Sequence, residues 1–300
     1  MNFSDLLRFL RSIPDAVRQV ELLQQSVGHL QQAVGRIEER QLRDLKSSVL
    51  SDHEFKVHSQ WGEDGIIQYL IRRVTVARPV FIEFGVQDYS EANTRFLLTN
   101  NNWSGLIFDG SAGAIASVQR DPIYWRYNLK AAQAFITREN INSLIESHGL
   151  SGEIGLLSVD IDGVDYFVWE AITVVQPAIV IAEYNARFGP ERAVTVPYDA
   201  GFQRSRAHHS NIYYGASLAA LVGLGKRKGF AFVGANSAGN NAFFVRRDLL
   251  PVDLPELTAR AGFVDCKFRE SRDENGKLTF LDATQEKALL AELPLVEVEP

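Results

Sequence analysis

Two runs of consecutive apolar residues, each closed by acids, constrain the fold of this chain more than any other feature. The first is Gly155-Leu156-Leu157-Ser158-Val159-Asp160-Ile161-Asp162-Gly163; the second, about twenty residues on, is Ala178-Ile179-Val180-Ile181-Ala182-Glu183-Tyr184-Asn185. Neither alternates apolar with polar, so as strands both must be buried on both faces. That is the situation of parallel strands covered by helices. In an open sheet of this kind ligands bind outside the carboxyl ends of the strands. Carboxylates are seldom buried without a partner, so acids delivered to one rim by two strands read as a shared site for a cation or a polar ligand. Solvated strand ends that cap the following helices are the plainer alternative.

The surrounding pattern supports a parallel sheet. Helical spacing over 60–73 precedes a strand at 80–84, and a helix over 91–99 leads to a strand at 105–108. A short helix over 112–119 comes before a weaker strand at 129–136, and Thr137 can cap a helix running to about His148. A helix joins the two opening runs, a helix over 216–228 follows, and 229–234 with 241–246 reads as a closing hairpin. Alternation of this kind predicts an α/β fold, a doubly wound and mostly parallel sheet. Residues 273–276 read as a turn, and 286–293 as a helix ahead of an acidic end. Trp61, Trp103 and Trp125 are expected in the core or a pocket wall, and Trp169 in the core.

A different pattern precedes residue 50. Ile13, Val20, Val27 and Val34 fall at one heptad position, and Ala16, Leu23, Leu30 and Ile37 at the other, until Gln41 and Asp44 break the seam. β-Branched residues at the first position with mostly leucine at the second favour parallel two-stranded coiled coils. The expected division is therefore an amphipathic, coiled-coil oligomerisation helix over 1–49 and an enzyme-sized domain over 50–300. Ahead of the seam, Phe3, Leu6, Leu7, Phe9, Leu10 and Ile13 make an apolar face beside Arg8, Arg11 and Arg18. Such a face is suited to peripheral contact with an anionic membrane surface, to extending the coil, or to a partner.

Composition narrows the function classes. A net charge of -6 argues against a general nucleic-acid binder. The single cysteine, Cys266, rules out an internal disulfide and a cysteine-based zinc cluster. No signal-peptide pattern opens the sequence and no apolar stretch is long enough to span a bilayer, so the cytoplasm, including the inner face of a membrane, is the expected location.

The first predicted strand leaves through Glu83-Phe84-Gly85-Val86-Gln87-Asp88, with one glycine where a dinucleotide fingerprint has three. The second ends in Asp109, and an acid there accepts hydrogen bonds from ribose hydroxyls in nucleotide-binding sheets while disfavouring a phosphate. Together these point to an adenosine ligand without a pyrophosphate.

Several blocks resemble those of FkbM-like S-adenosylmethionine-dependent methyltransferases. They are Ser59-Gln60-Trp61-Gly62-Glu63-Asp64, Phe81-Ile82-Glu83-Phe84-Gly85, Asn93-Thr94, Gly105-Leu106-Ile107-Phe108-Asp109-Gly110-Ser111, Ser158 to Gly163, and Asn236 to Phe244. The resemblance keeps their order over roughly 58–247. It implies a seven-stranded Rossmann-like methyltransferase sheet with an antiparallel last strand. By the same resemblance S-adenosylmethionine is the cofactor, with Glu83 and Gly85 by its methionine part, Asp109 by the ribose, Gln60, Gly110 and Ser111 nearby, and Asp160 facing the reacting centre. A sugar or polysaccharide hydroxyl is the acceptor it suggests. Gln87 and Tyr89 depart from the small residues frequent in that first loop.

Metal-dependent O-methyltransferases of the same fold hold magnesium after the fourth and fifth strands. Asp160, Asp162, Glu183 and Asn185 supply hard oxygen ligands of that kind for Mg2+ or another divalent cation. Period-two alternation would keep Glu183 and Asn185 on one side. The long connection over 184–214 carries arginines, tyrosines and the pair His208-His209. Either histidine is a candidate catalytic base or extra metal ligand, with simple capping of Ser210 as the alternative. Two other classes remain open: a glycosyltransferase using Asp160-Ile161-Asp162 as a D-x-D pair, and a non-catalytic coiled-coil scaffold.

Overall fold

The computed structural model describes residues 3–300, with side chains described from Ile13 onward apart from that of Glu21. The side chains of the expected membrane-facing surface, Phe3 to Leu10, lie outside the described set. The chain forms two compact units, Met1–Leu45 and Lys46–Pro300. No helix among the described residues is long and apolar enough to cross a membrane.

The first unit is a single helix, Phe3–Leu42. Its seam residues Val20, Leu23, Val27, Leu30, Val34 and Ile37 are between 51% and 65% exposed. An apolar stripe of this length normally faces a core or a partner helix.

In the second unit, β1 (Val80–Phe84), β2 (Ser104–Asp109), β3 (Leu129–Gln133), β4 (Gly152–Val159) and β5 (Val175–Glu183) are parallel. A two-residue strand β6 (Val194–Thr195) follows, then β7 (Phe230–Ala235), β8 (Asn241–Arg246) and the short β9 (Val296–Glu297). The main sheet has the order β3-β2-β1-β4-β5-β8-β7, while β6 and β9 form a separate antiparallel ribbon. The last strand of the main sheet, β8, runs antiparallel to both β5 and β7. This is the α/β arrangement expected, with seven strands and an antiparallel last strand.

Successive residues of each strand feed opposite layers. Ile82, Phe84, Leu106, Phe108, Leu157 and Val180 join one buried cluster, and Phe81, Ile107, Leu156, Ile179 and Ile181 join the other. A sheet apolar on both faces needs helices on both, which is why the central runs show no alternation. The strand order reverses between β1 and β4, so their carboxyl ends diverge into a crevice.

Several helices start later than their spacing predicts, and polar side chains that take up backbone amides are the reason. The segment 91–94 is a loop because the Asn93 and Thr94 amides donate to Glu83 at 2.8 and 3.0 Å, and the helix begins only at Arg95. The expected helix from 60 begins at Glu63, whose carboxylate takes the amides of Trp61 and Gly62 and also the side-chain amides of Asn236 and Asn241. Asp64 collects the amides of Val57, His58 and Ser59 on one oxygen. Thr137 and Asn140 exchange hydrogen bonds, and their helix spans only Ile141–Ser147. At the other end of the chain, a capping box between Asp282 and Gln285 starts the final helix early, at Ala283. Residues 273–276 form the expected turn, with Gly276 N–H on the Asp273 carbonyl at 2.9 Å. Trp103 and Trp169 are buried; Trp125 is not, being 71% exposed with the Arg126 guanidinium over its ring.

Candidate functional site

The ends of β1, β2 and β4 are drawn together by backbone contacts. Gly85 has φ +72°, and a Cβ there would lie 1.8 Å from the Asp160 carbonyl oxygen. Its N–H donates to the Phe108 carbonyl at 3.0 Å. Only glycine fits both the left-handed backbone and this approach. The loop that follows holds Gln87 and Tyr89 at φ 49° and 62°, uncommon for residues with side chains. Two bonds hold that conformation: Asp109 accepts the Gln87 amide at 2.7 Å, and the Tyr89 hydroxyl lies 2.9 Å from Thr94 Oγ1. The other Asp109 oxygen accepts the Ser111 amide at 2.7 Å, and Ser111 Oγ caps the next helix on Ala114 N–H.

Two cavities meet at this junction. One, of about 190 Å³, lies over β1, β2 and β4, with Asp109 and Gly110 on one wall and Phe135, Ile136 and Phe202 among its apolar residues. The second, of about 110 Å³, is polar and is lined by Gln60, Glu83, Asn93 and Asn241. Gly85, Gln87 and Asp160 line both. Among the described residues no lysine or arginine lines either cavity. Glu83 borders the second cavity, but its carboxylate is engaged by Asn93 and by both the amide and hydroxyl of Thr94.

The acids at the ends of β4 and β5 converge. Asp160, Asp162 and Glu183 each offer an oxygen within 4.8 Å of the others. Asp165 shapes the loop by accepting the Ile161 and Gly163 amides at 2.7 and 3.0 Å, and Asp162 sits at φ 55°. Glu183 is 7% exposed, and its Oε2 has no hydrogen-bond partner. Burial, followed by repulsion from neighbouring acids, pushes the Asp160 and Glu183 carboxyls well above the usual carboxylate range. Arg204 donates to Asp162 at 2.5 Å, pairs with Glu270, and stacks 3.7 Å from the Tyr214 ring centroid. An orphaned buried oxygen among hard ligands suits a divalent cation of the magnesium, calcium or manganese kind.

The structure does not bring every expected residue here. Asn185 is turned away from a ligand role: its amide nitrogen donates to the Ile212 and Tyr214 carbonyls, and its oxygen caps the turn at Arg187 N–H. The strand ends at Glu183, so the period-two alternation that would keep Asn185 beside it does not continue. His208 lies with Nδ1 2.7 Å from Ser210 Oγ and its ring tilted at 36° against that of His209, with centroids 4.1 Å apart, and neither histidine lines the two cavities. The capping alternative describes His208. Conversely, Phe135, Ile136 and Phe202 were not anticipated. The first two continue the apolar run past β3, which is a readable signal. Phe202 comes from the long connection, and its ring fits because Gly163 has no side chain.

No family model and no curated protein matches the chain, so the FkbM-like resemblance rests on the sequence blocks alone. Among solved structures it is similar to the N-terminal domain of EvdMO1 with SAH bound, at 11% identity over 70% of this chain and 94% of that one, with a TM-score of 0.41. It is also similar to the CurJ carbon methyltransferase, at 10% identity over 61% and 52% with a TM-score of 0.40. A third is a protein from Klebsiella pneumoniae provisionally assigned as an O-methyltransferase, at 11% identity over 72% and 97% with a TM-score of 0.40. The site is read from this chain's own residues.

The buried acids set the pH dependence of stability. Burial pushes Glu83 up to about 7 and Asp64 and Asp165 up to about 6, while holding His58 down to about 4. Unfolded carboxyls titrate near pH 4, so up to about pH 7 the folded chain keeps protons the unfolded chain has released. The stability these carboxyls contribute is complete below about pH 4 and is lost as pH rises through 6 to 7. His58 acts oppositely, but three carboxyls outweigh one imidazole. Urea unfolding without added divalent cation should show a higher midpoint at pH 5 than at pH 8; a lower one would contradict the assignment.

Proposed function

We propose that this chain is an S-adenosylmethionine-dependent O-methyltransferase acting on a hydroxyl of a sugar or polysaccharide, assisted by a divalent cation. One observation carries the reading: the two cavities share Gly85 and Asp160, the first includes Asp109 from the end of β2, and among the described residues no lysine or arginine lines either. Such a lining suits a cationic, phosphate-free adenosine ligand and gives a nucleotide diphosphate no positive side chain to meet. The D-x-D glycosyltransferase alternative lacks that support.

Bound there, S-adenosylmethionine would supply a methyl group on a positively charged sulfur. Asp109, oriented by the Gln87 and Ser111 amides, would accept the ribose hydroxyls. Phe135, Ile136 and Phe202 would flank a flat base, and Gly110 leaves room beside Phe135. Gln60, Asn93 and Asn241 would take the amino-acid end, where the buried Asn241 Oδ1 has no partner. Glu83 positions the Asn93-Thr94 loop. Asp160, at the joint between the cavities, is the carboxylate placed to accept a proton from the acceptor hydroxyl. A cation at Asp160, Asp162 and Glu183 would hold those carboxyls ionised and supply Lewis acidity toward that hydroxyl.

The reading extends to assembly. The exposed seam of the N-terminal helix supports self-association as a coiled coil, which would cover its valines and leucines. Light scattering at micromolar concentration should give a mass of at least twice the chain, and Leu23→Glu with Leu30→Glu should reduce it to one chain. A monomeric wild type would refute self-association.

Calorimetry tests the cofactor. S-adenosylhomocysteine should bind, Asp109→Ala should weaken it at least about 10-fold through loss of charge-assisted hydrogen bonds, and UDP-glucose should give no heat. Binding of UDP-glucose alone would favour the glycosyltransferase, and binding of neither the scaffold.

A further inference from the structure

We propose that Trp61, stacked on Phe268, forms a ledge that seats the ring of a pyranoside acceptor beside the carboxylates. The inference rests on the methyl-transfer reading for which hydroxyl reacts, but not for the ledge itself. Trp61 is 40% exposed although its indole lies nearly parallel to the Phe268 ring, with centroids 5.4 Å apart and planes at 18°. Phe268 thus covers part of the indole, and a large apolar surface stays open to solvent. A solitary exposed leucine needs no explanation, but an aromatic pair held open next to Gln60, a residue that lines a polar cavity, does.

The surrounding bonds tie the ledge to residues that line that cavity. Gln60, the preceding residue, lines the polar cavity with Glu83 and Asp160. The Trp61 amide is held at 2.9 Å by Glu63, whose other oxygen takes the side-chain amides of Asn236 and Asn241. Asn241 also lines the cavity and pairs with Glu183 in the β5–β8 register. On the far side, Lys267 N–H binds the Ala238 carbonyl at the tip of the β7–β8 hairpin. Phe268 follows, with the Arg187 guanidinium 5.5 Å from its ring centroid, and Glu270 then pairs with Arg187 and Arg204. Arg204 closes the circuit on Asp162. The wall from Trp61 to Asp162 is therefore one continuous set of contacts, aromatic at one end and ionic at the other.

A pyranoside has the matching chemistry. Its axial C–H groups make an apolar face for an indole, and its hydroxyls make a polar rim for amides and carboxylates. The ledge offers an aromatic surface on one side only, and the contacts that lead away from it end in Glu270, Arg204 and Asp162, donors and acceptors that the cofactor reading leaves to the acceptor.

Saturation-transfer NMR on the full chain tests this with the methyl glycosides of glucose, galactose, mannose, rhamnose and fucose, and with sorbitol and catechol. At least one methyl pyranoside should show ring-proton transfer that falls fivefold or more in Trp61→Ala and is kept in Trp61→Phe. Overturning results are no pyranoside signal, a signal unchanged in Trp61→Ala, or a Trp61-dependent signal from sorbitol or catechol instead. Calorimetry with S-adenosylhomocysteine on the same samples confirms folding and separates the two ideas. Binding of it without a Trp61-dependent pyranoside sinks the ledge alone. A Trp61-dependent pyranoside without it sinks the methyl-transfer reading alone.

Discussion

The structure of the site depends on the contact between Gly85 and the Asp160 carbonyl. At the point where the strand order reverses, the exits of β1 and β4 would diverge; with no side chain at 85 they stay close enough that a methyl group there would sit 1.8 Å from oxygen. Asp160 thereby borders both cavities, and the end of β2 is brought in through the Gly85 amide on Phe108.

The buried and rim acids sort into two groups by where their hydrogen bonds go. Glu63, Asp64, Glu83, Asp109 and Asp165 each take two or more main-chain amides, which sets the shape of loops and the starts of helices. Glu183 leaves an oxygen with no partner, and Asp162 is bonded by Arg204. A carboxylate satisfied by the backbone stabilises a particular local conformation. One left buried without a partner costs stability, and such groups concentrate at functional sites because selection tolerates the cost there.

The parts of the fold that periodicity controls were legible in the sequence. Unbroken apolar runs identify the central strands, the alternation of strand and helix gives the parallel sheet, and the acids at 109, 160, 162 and 183 lie at or just past the strand ends where that pattern puts them. What failed depends on individual side chains. Asn185 and His208 serve local capping, a choice that spacing does not reveal. Helices after 60, 91 and 137 were drawn too long because polar side chains capture backbone atoms that a helix would otherwise use. The position of Phe202 follows from the path of the long 184–214 connection, which spacing does not encode, and the exposure of Trp125 follows from its short helix lying on the surface rather than from residue type.

The claim that Asp109 and Asp160 bound two halves of one methyl-transfer site is tested most directly by a crystal structure grown with S-adenosylhomocysteine. The account predicts ribose hydroxyls on Asp109, the base between Phe135 and Phe202, and the sulfur beside Asp160 at the junction with the polar cavity. Density for the ligand anywhere else, or its ribose away from Asp109, would contradict it.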